Sequence, residues 1–304
     1  MIINNRSNES LVRAIKKMHS FVESPDVEKI RAHQESLGTL FTNRELLYED
    51  IQIEHISAEW ISAGDDIRND YVILYCHGGG YNTGSFMYAR TVTGKLAETT
   101  LMKVLAFDYR LAPEYKYPCA IDDALKVWEY LENIGYRGED IIIAGDSAGG
   151  NLALSLTLKL KELEKDMPAG LVLFSPWTDL TLEGVSHLER VDMDPILTEE
   201  YIEKAAEDYA GNEDTKNPFI SPLFGDFEGF PPTLIQVGDH EILLSDSEDL
   251  AACMNACGVD VKFELYEGMW HVFQMSPLKA AVEAMEHVGE FIFNTILNRN
   301  KHSV

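Results

Sequence analysis

Ile141-Ile-Ile-Ala-Gly-Asp-Ser-Ala-Gly-Gly-Asn151 decides how this chain folds. Three β-branched residues followed by Ala144 have the pattern of a strand buried on both faces. The run stops at Ser147, boxed in by glycines, and Leu152-Ala-Leu-Ser-Leu-Thr-Leu-Lys-Leu160 continues as a mostly apolar helix. Gly145-x-Ser147-x-Gly149 sits at the joint. A serine at such a joint takes a strained backbone, and the flanking glycines let strand and helix approach. The same spacing occurs in ordinary turns, and it is the strand before and the helix after that turn it into a nucleophile elbow.

Working outward from the elbow, Tyr71-Val-Ile-Leu-Tyr-Cys76 reads as a buried strand running into His77-Gly-Gly-Gly80, with a helix from about Phe86 to Thr99. Three consecutive glycines after a strand leave backbone N–H groups uncovered, and such groups bind a negatively charged oxygen. Val104-Leu-Ala-Phe-Asp-Tyr109 is the next strand. Arg110-Leu-Ala-Pro-Glu114 then leads through Pro118 to a helix at about Ile121 to Asn133. After the elbow come the strand Gly170-Leu-Val-Leu-Phe174 and Ser175-Pro176-Trp177. This alternation predicts an α/β fold, a mostly parallel central sheet flanked by helices.

Upstream, Leu11, Ile15, Met18 and Val22 recur at helical spacing, so residues 9–36 read as two short helices split at Ser24-Pro25-Asp26. Tyr48, Ile51, Ile53 and Ile56 alternate, and with a turn at Gly64-Asp65-Asp66 they predict a strand hairpin. Downstream, residues 181–217 are polar and acidic, with one helix near Thr198 to Tyr209 begun by a capped Thr198. An insertion of that length often forms a lid. The rhythm then resumes with strand Thr233–Val237, a helix from about Ser245 to Cys257, strand Val261–Tyr266 and a final helix from about Pro277 to Leu297.

Composition narrows the partners. The 304 residues are 45% hydrophobic, enough for one large core, and 51 acidic against 25 basic residues give a net charge of −26. That charge opposes nucleic acid and anionic membrane surfaces and leaves a small neutral molecule as the easier partner. Four cysteines are too few and scattered for a disulfide framework. Cys253 and Cys257 lie four apart on a helix, but no second Cys/His pair completes a metal site, so they read as packing residues. The N-terminal stretch lacks the apolar core of a signal peptide, and no run reaches membrane-span length. The expectation is a cytoplasmic protein that requires neither cofactor nor metal.

A serine hydroxyl needs a base, and the base needs an acid to fix its tautomer. The elbow therefore predicts a later acid and a still later histidine, both in loops that follow strands. His271, in Gly268-Met-Trp-His-Val-Phe273, meets that requirement. His19, His33 and His55 come too early, His287 and His302 fall in or beyond the last helix, and His187 lies in the insertion. His77 belongs to the glycine loop and His240 to the acid's loop. Gly238-Asp-His-Glu-Ile-Leu-Leu-Ser-Asp246 offers Asp239, Glu241 and Asp246 as the acid, and periodicity does not choose among them.

Taken together, His77-Gly-Gly-Gly80, Tyr109-Arg-Leu-Ala-Pro-Glu114, Gly145-Asp-Ser-Ala-Gly-Gly-Asn151, Ser175-Pro-Trp177 and Trp270-His271-Val-Phe273 resemble the bacterial hormone-sensitive-lipase-like esterases of the α/β-hydrolase fold. The resemblance spans roughly residues 40–297. It implies a serine carboxylesterase acting on short- to medium-chain acyl esters, with Ser147 and His271 catalytic. It also implies an oxyanion hole from the N–H groups of Gly78, Gly79, Gly80 and Ala148. The family's usual Asp-Pro-Leu acid motif is missing. The chain looks instead like a subgroup with Gly-x-x-Glu-x-Leu-Leu, which points to Glu241, with Asp239 in reserve.

By the same resemblance, residues 1–45 and 181–217 form a helical cap on a core of 46–180 and 218–304, and a homodimer through the last strand and helix is possible. Tyr81, Phe86, Met87 and Trp270 are candidates to line the pocket, each equally suited to core packing. Neutral His271 as base predicts activity falling below about pH 6.5, unless its surroundings shift the imidazole. Two rival readings remain, a ligand-binding module on a hydrolase scaffold and an amidase or peptidase with the same triad.

Overall fold

A computed structural model describes residues 15–17, 26–64 and 68–302. Helix α1 (Val27–Phe41) precedes strands β1 (Leu47–Ile53), β2 (Ile56–Ser62) and β3 (Arg68–Cys76). Then come α2 (Phe86–Thr100), β4 (Met102–Phe107), α3 (Cys119–Asn133), β5 (Ile141–Asp146), α4 (Ala148–Glu162) and β6 (Gly170–Phe174). Helices α5 (Ser186–Glu189) and α6 (Glu199–Ala210) follow, before β7 (Thr233–Gly238), α7 (Leu244–Ala256), β8 (Val261–Tyr266) and α8 (Lys279–His302). The strands form one sheet in the order β1-β2-β4-β3-β5-β6-β7-β8, antiparallel at β1/β2 and β2/β4 and parallel from β4 onward.

The two-residue period of a strand explains why the central runs are apolar throughout. Val72, Leu74, Ile141, Ile143, Leu171 and Leu173 point to one face, against α3, α4 and α7. Ile73, Tyr75, Ile142, Ala144, Val172 and Phe174 point to the other, against α2 and α8. Both faces of the sheet are thus covered, and each larger aliphatic or phenylalanine side chain buried there stabilises the fold by roughly 1.5–3 kcal/mol. Between Phe174 and Thr233 the chain forms α5 and α6 and no strand. Ile202, Ala205, Ala206 and Tyr209 of α6 join the first of these cores.

Several sequence expectations shift. The β1/β2 hairpin turns at Glu54-His55, where Glu54 takes φ 51°, and the expected turn at Asp65-Asp66 lies outside the described residues. Strand β4 begins at Met102 and ends at Phe107, which frees Asp108 to accept the N–H of Phe86 at 2.7 Å. Of the two helices expected over 9–36, residues 15–17 are helical and α1 starts from an Asp26 cap and runs on to Phe41; Leu11, Met18, Val22 and Pro25 lie outside the described residues. Cys253 and Cys257 are exposed, not packed, because the buried stripe of α7 is Ser247, Leu250, Ala251 and Met254. Among the described residues no helix is long and apolar enough to cross a membrane.

Candidate active site

The carboxyl ends of β3, β5, β6, β7 and β8 bring the candidate residues to one edge of the sheet. Ser147 stands between β5 and α4 with φ 54° and ψ −123°, a backbone that L-residues rarely adopt. Neighbours hold it there: its N–H donates to Phe174 O at 2.9 Å, and its carbonyl accepts the Trp177 N–H at 3.0 Å. The elbow is also tight. A Cβ on Gly149 would lie 2.1 Å from Cys76 O, which is why α4 can start against the end of β3 only with glycine there.

The glycine loop after β3 is anchored from beneath. Asp146 accepts from Tyr75 Oη at 2.6 Å and from the Gly78 N–H at 3.0 Å. Gly78 therefore drops out of the donor set expected from the sequence, since its N–H is already bonded. Among the described residues, no protein acceptor takes the N–H of Gly79, Gly80 or Ala148. His77 fixes the loop from the side, with its ring stacked on Tyr109 at 4.1 Å, Nδ1 bonded to Gly78 O at 2.8 Å, and its carbonyl accepting Tyr109 Oη at 2.8 Å. Burial pushes the His77 imidazole down to about 4, so it is a neutral scaffold group. The Tyr-Arg-Leu-Ala-Pro-Glu segment supports this loop: Ala112 N–H bonds Tyr81 O at 2.9 Å, and Arg110 clasps the buried Asp123.

On the far side of the elbow, His271 Nδ1 lies 2.9 Å from Glu241 Oε2. The other oxygen of Glu241 accepts the Gly238 N–H at 2.7 Å and the Ser175 hydroxyl at 2.8 Å. Both carboxylate oxygens are thus used, and Glu241 has no exposed surface. Asp239 instead accepts the Gly268 N–H at 2.6 Å and closes the turn after β8. Asp246 accepts the N–H groups of Thr178 and Asp179 and faces His187 at 2.8 Å. Of the three acids left open by the sequence, Glu241 is the one beside His271. Burial lowers the imidazole of His271, but the Glu241 hydrogen bond and charge, then Asp194 and Asp146, outweigh it and raise the pKa above its ordinary value.

The four pocket candidates divide. Tyr81 is fully buried, stacked on Tyr209 at 3.6 Å and bonded to Asn151 at 2.7 Å, so it supports the site and has no surface for a ligand. Trp270 packs with Ile15, Phe273, Ala281 and Ala284. Phe86 packs on the α2/α8 core, and Met87 is half-buried beside it in sequence. Helix α6 also reaches the glycine loop, since Tyr201 Oη would lie 2.8 Å from a Cβ on Gly80. Ser175 was missed as a site residue. It takes φ 46°, donates to Glu241 and accepts the Val272 N–H at 3.1 Å, linking the loops of the acid and the histidine. Its one signal in the sequence was its place in Ser175-Pro-Trp177, directly after a strand.

A mostly parallel sheet with a strained serine elbow, a glycine loop beside it, and a carboxylate and a histidine two and three strands further on defines a hydrolase class of fold. A family model described as alpha/beta hydrolase fold matches residues 73–275. An esterase of Acinetobacter venetianus is 42% identical over 223 residues, covering 72% of this chain and 74% of that protein. An acetyl-hydrolase of Streptomyces hygroscopicus is 33% identical and covers 93% of this chain and 95% of its own. The crystal structure of an esterase from the bacterial hormone-sensitive lipase family superposes with a TM-score of 0.91 at 32% identity, over 97% of this chain and 100% of that one. The chain belongs to the α/β-hydrolase fold family, within its bacterial hormone-sensitive-lipase-like esterases.

Proposed function

We propose that the protein is a serine carboxylesterase that hydrolyses short- to medium-chain acyl esters through an acyl-enzyme. Ser147 is the nucleophile, His271 the base and Glu241 the acid that orients it. The observation that carries this reading is the 2.9 Å contact of His271 Nδ1 with Glu241, on the sheet edge that holds Ser147 in its elbow. With Nδ1 engaged, Nε2 is the nitrogen left to take the serine proton. Ser147 Oγ then bonds to the ester carbonyl carbon, and the electron pair of the carbonyl moves to its oxygen. The N–H groups of Gly79, Gly80 and Ala148 receive that oxyanion, each worth on the order of 3 kcal/mol. Protonated His271 passes its proton to the departing alcohol. Water then repeats the sequence on the acyl group and restores the serine.

Residues 1–45 and 181–217 act as the cap, and 46–180 with 218–304 as the catalytic core. The approach of Tyr201 to Gly80 supports a short acyl pocket, and so does the Streptomyces relative, named an acetyl-hydrolase. Four free thiols support a reducing, cytoplasmic location. Leu265 on β8 and Val282 on α8, 45% and 52% exposed, support a homodimer there, which sedimentation would reveal as twice the chain mass.

The test is hydrolysis of p-nitrophenyl esters from acetate to dodecanoate. Wild type is expected to prefer acetate to hexanoate, and Ser147→Ala to lose on the order of 10⁴-fold in kcat/KM. An inert wild type, or a fully active Ser147→Ala, overturns the reading. Fastest turnover of dodecanoate removes the short-chain part alone.

A further inference from the structure

Asp194 lies between α5 and α6, in Asp192-Met-Asp194-Pro-Ile-Leu197, and is only 4% exposed. A buried carboxylate needs a reason, because desolvation penalises its charge. One oxygen has a local reason: Oδ1 accepts the N–H groups of Ile196 and Leu197 at 2.8 and 3.0 Å, turning the chain into α6. The other oxygen does not. Oδ2 accepts the N–H of Ile242 at 3.0 Å, and Ile242 directly follows Glu241. The carbonyl of Ile242 is held from the same insertion, by Ser186 Oγ of α5 at 2.5 Å. Both backbone polar groups of the residue after Glu241 are therefore bonded to the segment between β6 and β7.

We propose that Asp194 is a positioning residue for the Glu241–His271 pair, holding the acid's loop through the Ile242 N–H and adding a second negative charge to the surroundings of His271. The proposal rests on the esterase reading above. The carboxylates whose charges act on His271 are Glu241 on the β7 loop, in direct contact with it, then Asp194 from the insertion and Asp146 at the end of β5. Burial pushes the Asp194 carboxyl up to about 6, with the charge of Glu241 adding to the rise and that of His271 opposing it. Above that pH Asp194 is an anion, which favours imidazolium at His271. The sign follows directly: without the Asp194 charge, His271 stays neutral to lower pH, and the acid limb of kcat/KM moves down. A purely structural brace would lower kcat or stability and leave the limb in place.

The experiment is the pH profile of kcat/KM from 5 to 9 with p-nitrophenyl acetate, for wild type, Asp194→Asn, Asp194→Glu and Ser186→Ala. Asp194→Asn is expected to shift the acid limb down by about half a unit or more and to lower kcat about tenfold. Asp194→Glu, which keeps the charge in a displaced position, is expected to lose rate and keep the limb. Ser186→Ala loosens the same loop without removing charge and is expected to keep it too. Should Asp194→Asn fail to fold, Asp194→Ser carries the same expectation. A limb that stays at the wild-type position in the uncharged variants, or moves equally in Ser186→Ala, overturns the proposal. Wild-type activity that survives Ser147→Ala overturns the esterase reading instead, so the two failures are distinct.

Discussion

Ser147 is the residue where backbone strain coincides with the proposed chemistry. Its φ of 54° suits glycine, and a side chain there costs on the order of 1–3 kcal/mol that the rest of the fold must offset. Ser147→Gly is therefore expected to raise the midpoint of urea unfolding while abolishing turnover. Ser147→Ala keeps a Cβ in the same backbone and should leave the midpoint near wild type. Equal midpoints for Ser147→Gly and Ser147→Ala would show that the elbow is not strained. Glu241→Gln presents an amide where His271 Nδ1 and the Gly238 N–H both seek an acceptor, so kcat should fall by about 10²–10⁴. Asp239→Asn, at the β8 turn, should keep activity near wild type; the reverse pattern would make Asp239 the acid. Because its surroundings raise the pKa of His271, the neutral base is lost at a higher pH than for an ordinary imidazole. The acid limb of kcat/KM should lie above about 6.5, and a limb well below that contradicts this electrostatic reading.

At the scale of elements, the elbow works because β5, α4 and the end of β3 come within atomic contact. A Cβ on Gly149 would sit 2.1 and 2.4 Å from the carbonyl oxygens of Cys76 and His77. Gly149→Ala is expected to destabilise by about 1–3 kcal/mol and to displace the glycine loop; unchanged stability would mean that the contact relaxes freely. This local packing was readable from the sequence, since strand period, glycine spacing and helix caps are all short-range signals. Strand β8 has the bounds read from the sequence, Val261–Tyr266, and Thr198 caps α6 by accepting the Tyr201 N–H. What could not be read were side chains whose partners are distant in sequence. Ser175 meets Glu241 across 66 positions and Asp194 meets Ile242 across 48. The Gly78 N–H likewise finds Asp146 68 positions away, and no glycine count shows that one of the loop's donors is already taken. Cys253 and Cys257 were misread because residues four apart share a helix face without revealing which face is inward.

For the whole molecule, a net charge of −26 adds self-repulsion to the folded state. Raising NaCl from about 10 mM to about 0.5 M shortens the screening length from roughly 30 Å to a few ångströms, so the thermal midpoint should rise by a few degrees. A falling midpoint would show that attractive pairs such as Arg110–Asp123 and Arg90–Glu59 outweigh the net repulsion. The sheet brings to one edge three loops whose residues Ser147 and Glu241 are 94 positions apart and Glu241 and His271 30 positions apart. The central claim, that these loops form one working triad, is tested most directly by covalent labelling with diisopropyl fluorophosphate and peptide mass analysis. The account predicts one added phosphoryl group per chain on Ser147, much slower labelling in Glu241→Gln, and almost none in His271→Ala. Absence of labelling in the folded wild type, or a label on another residue, would contradict it.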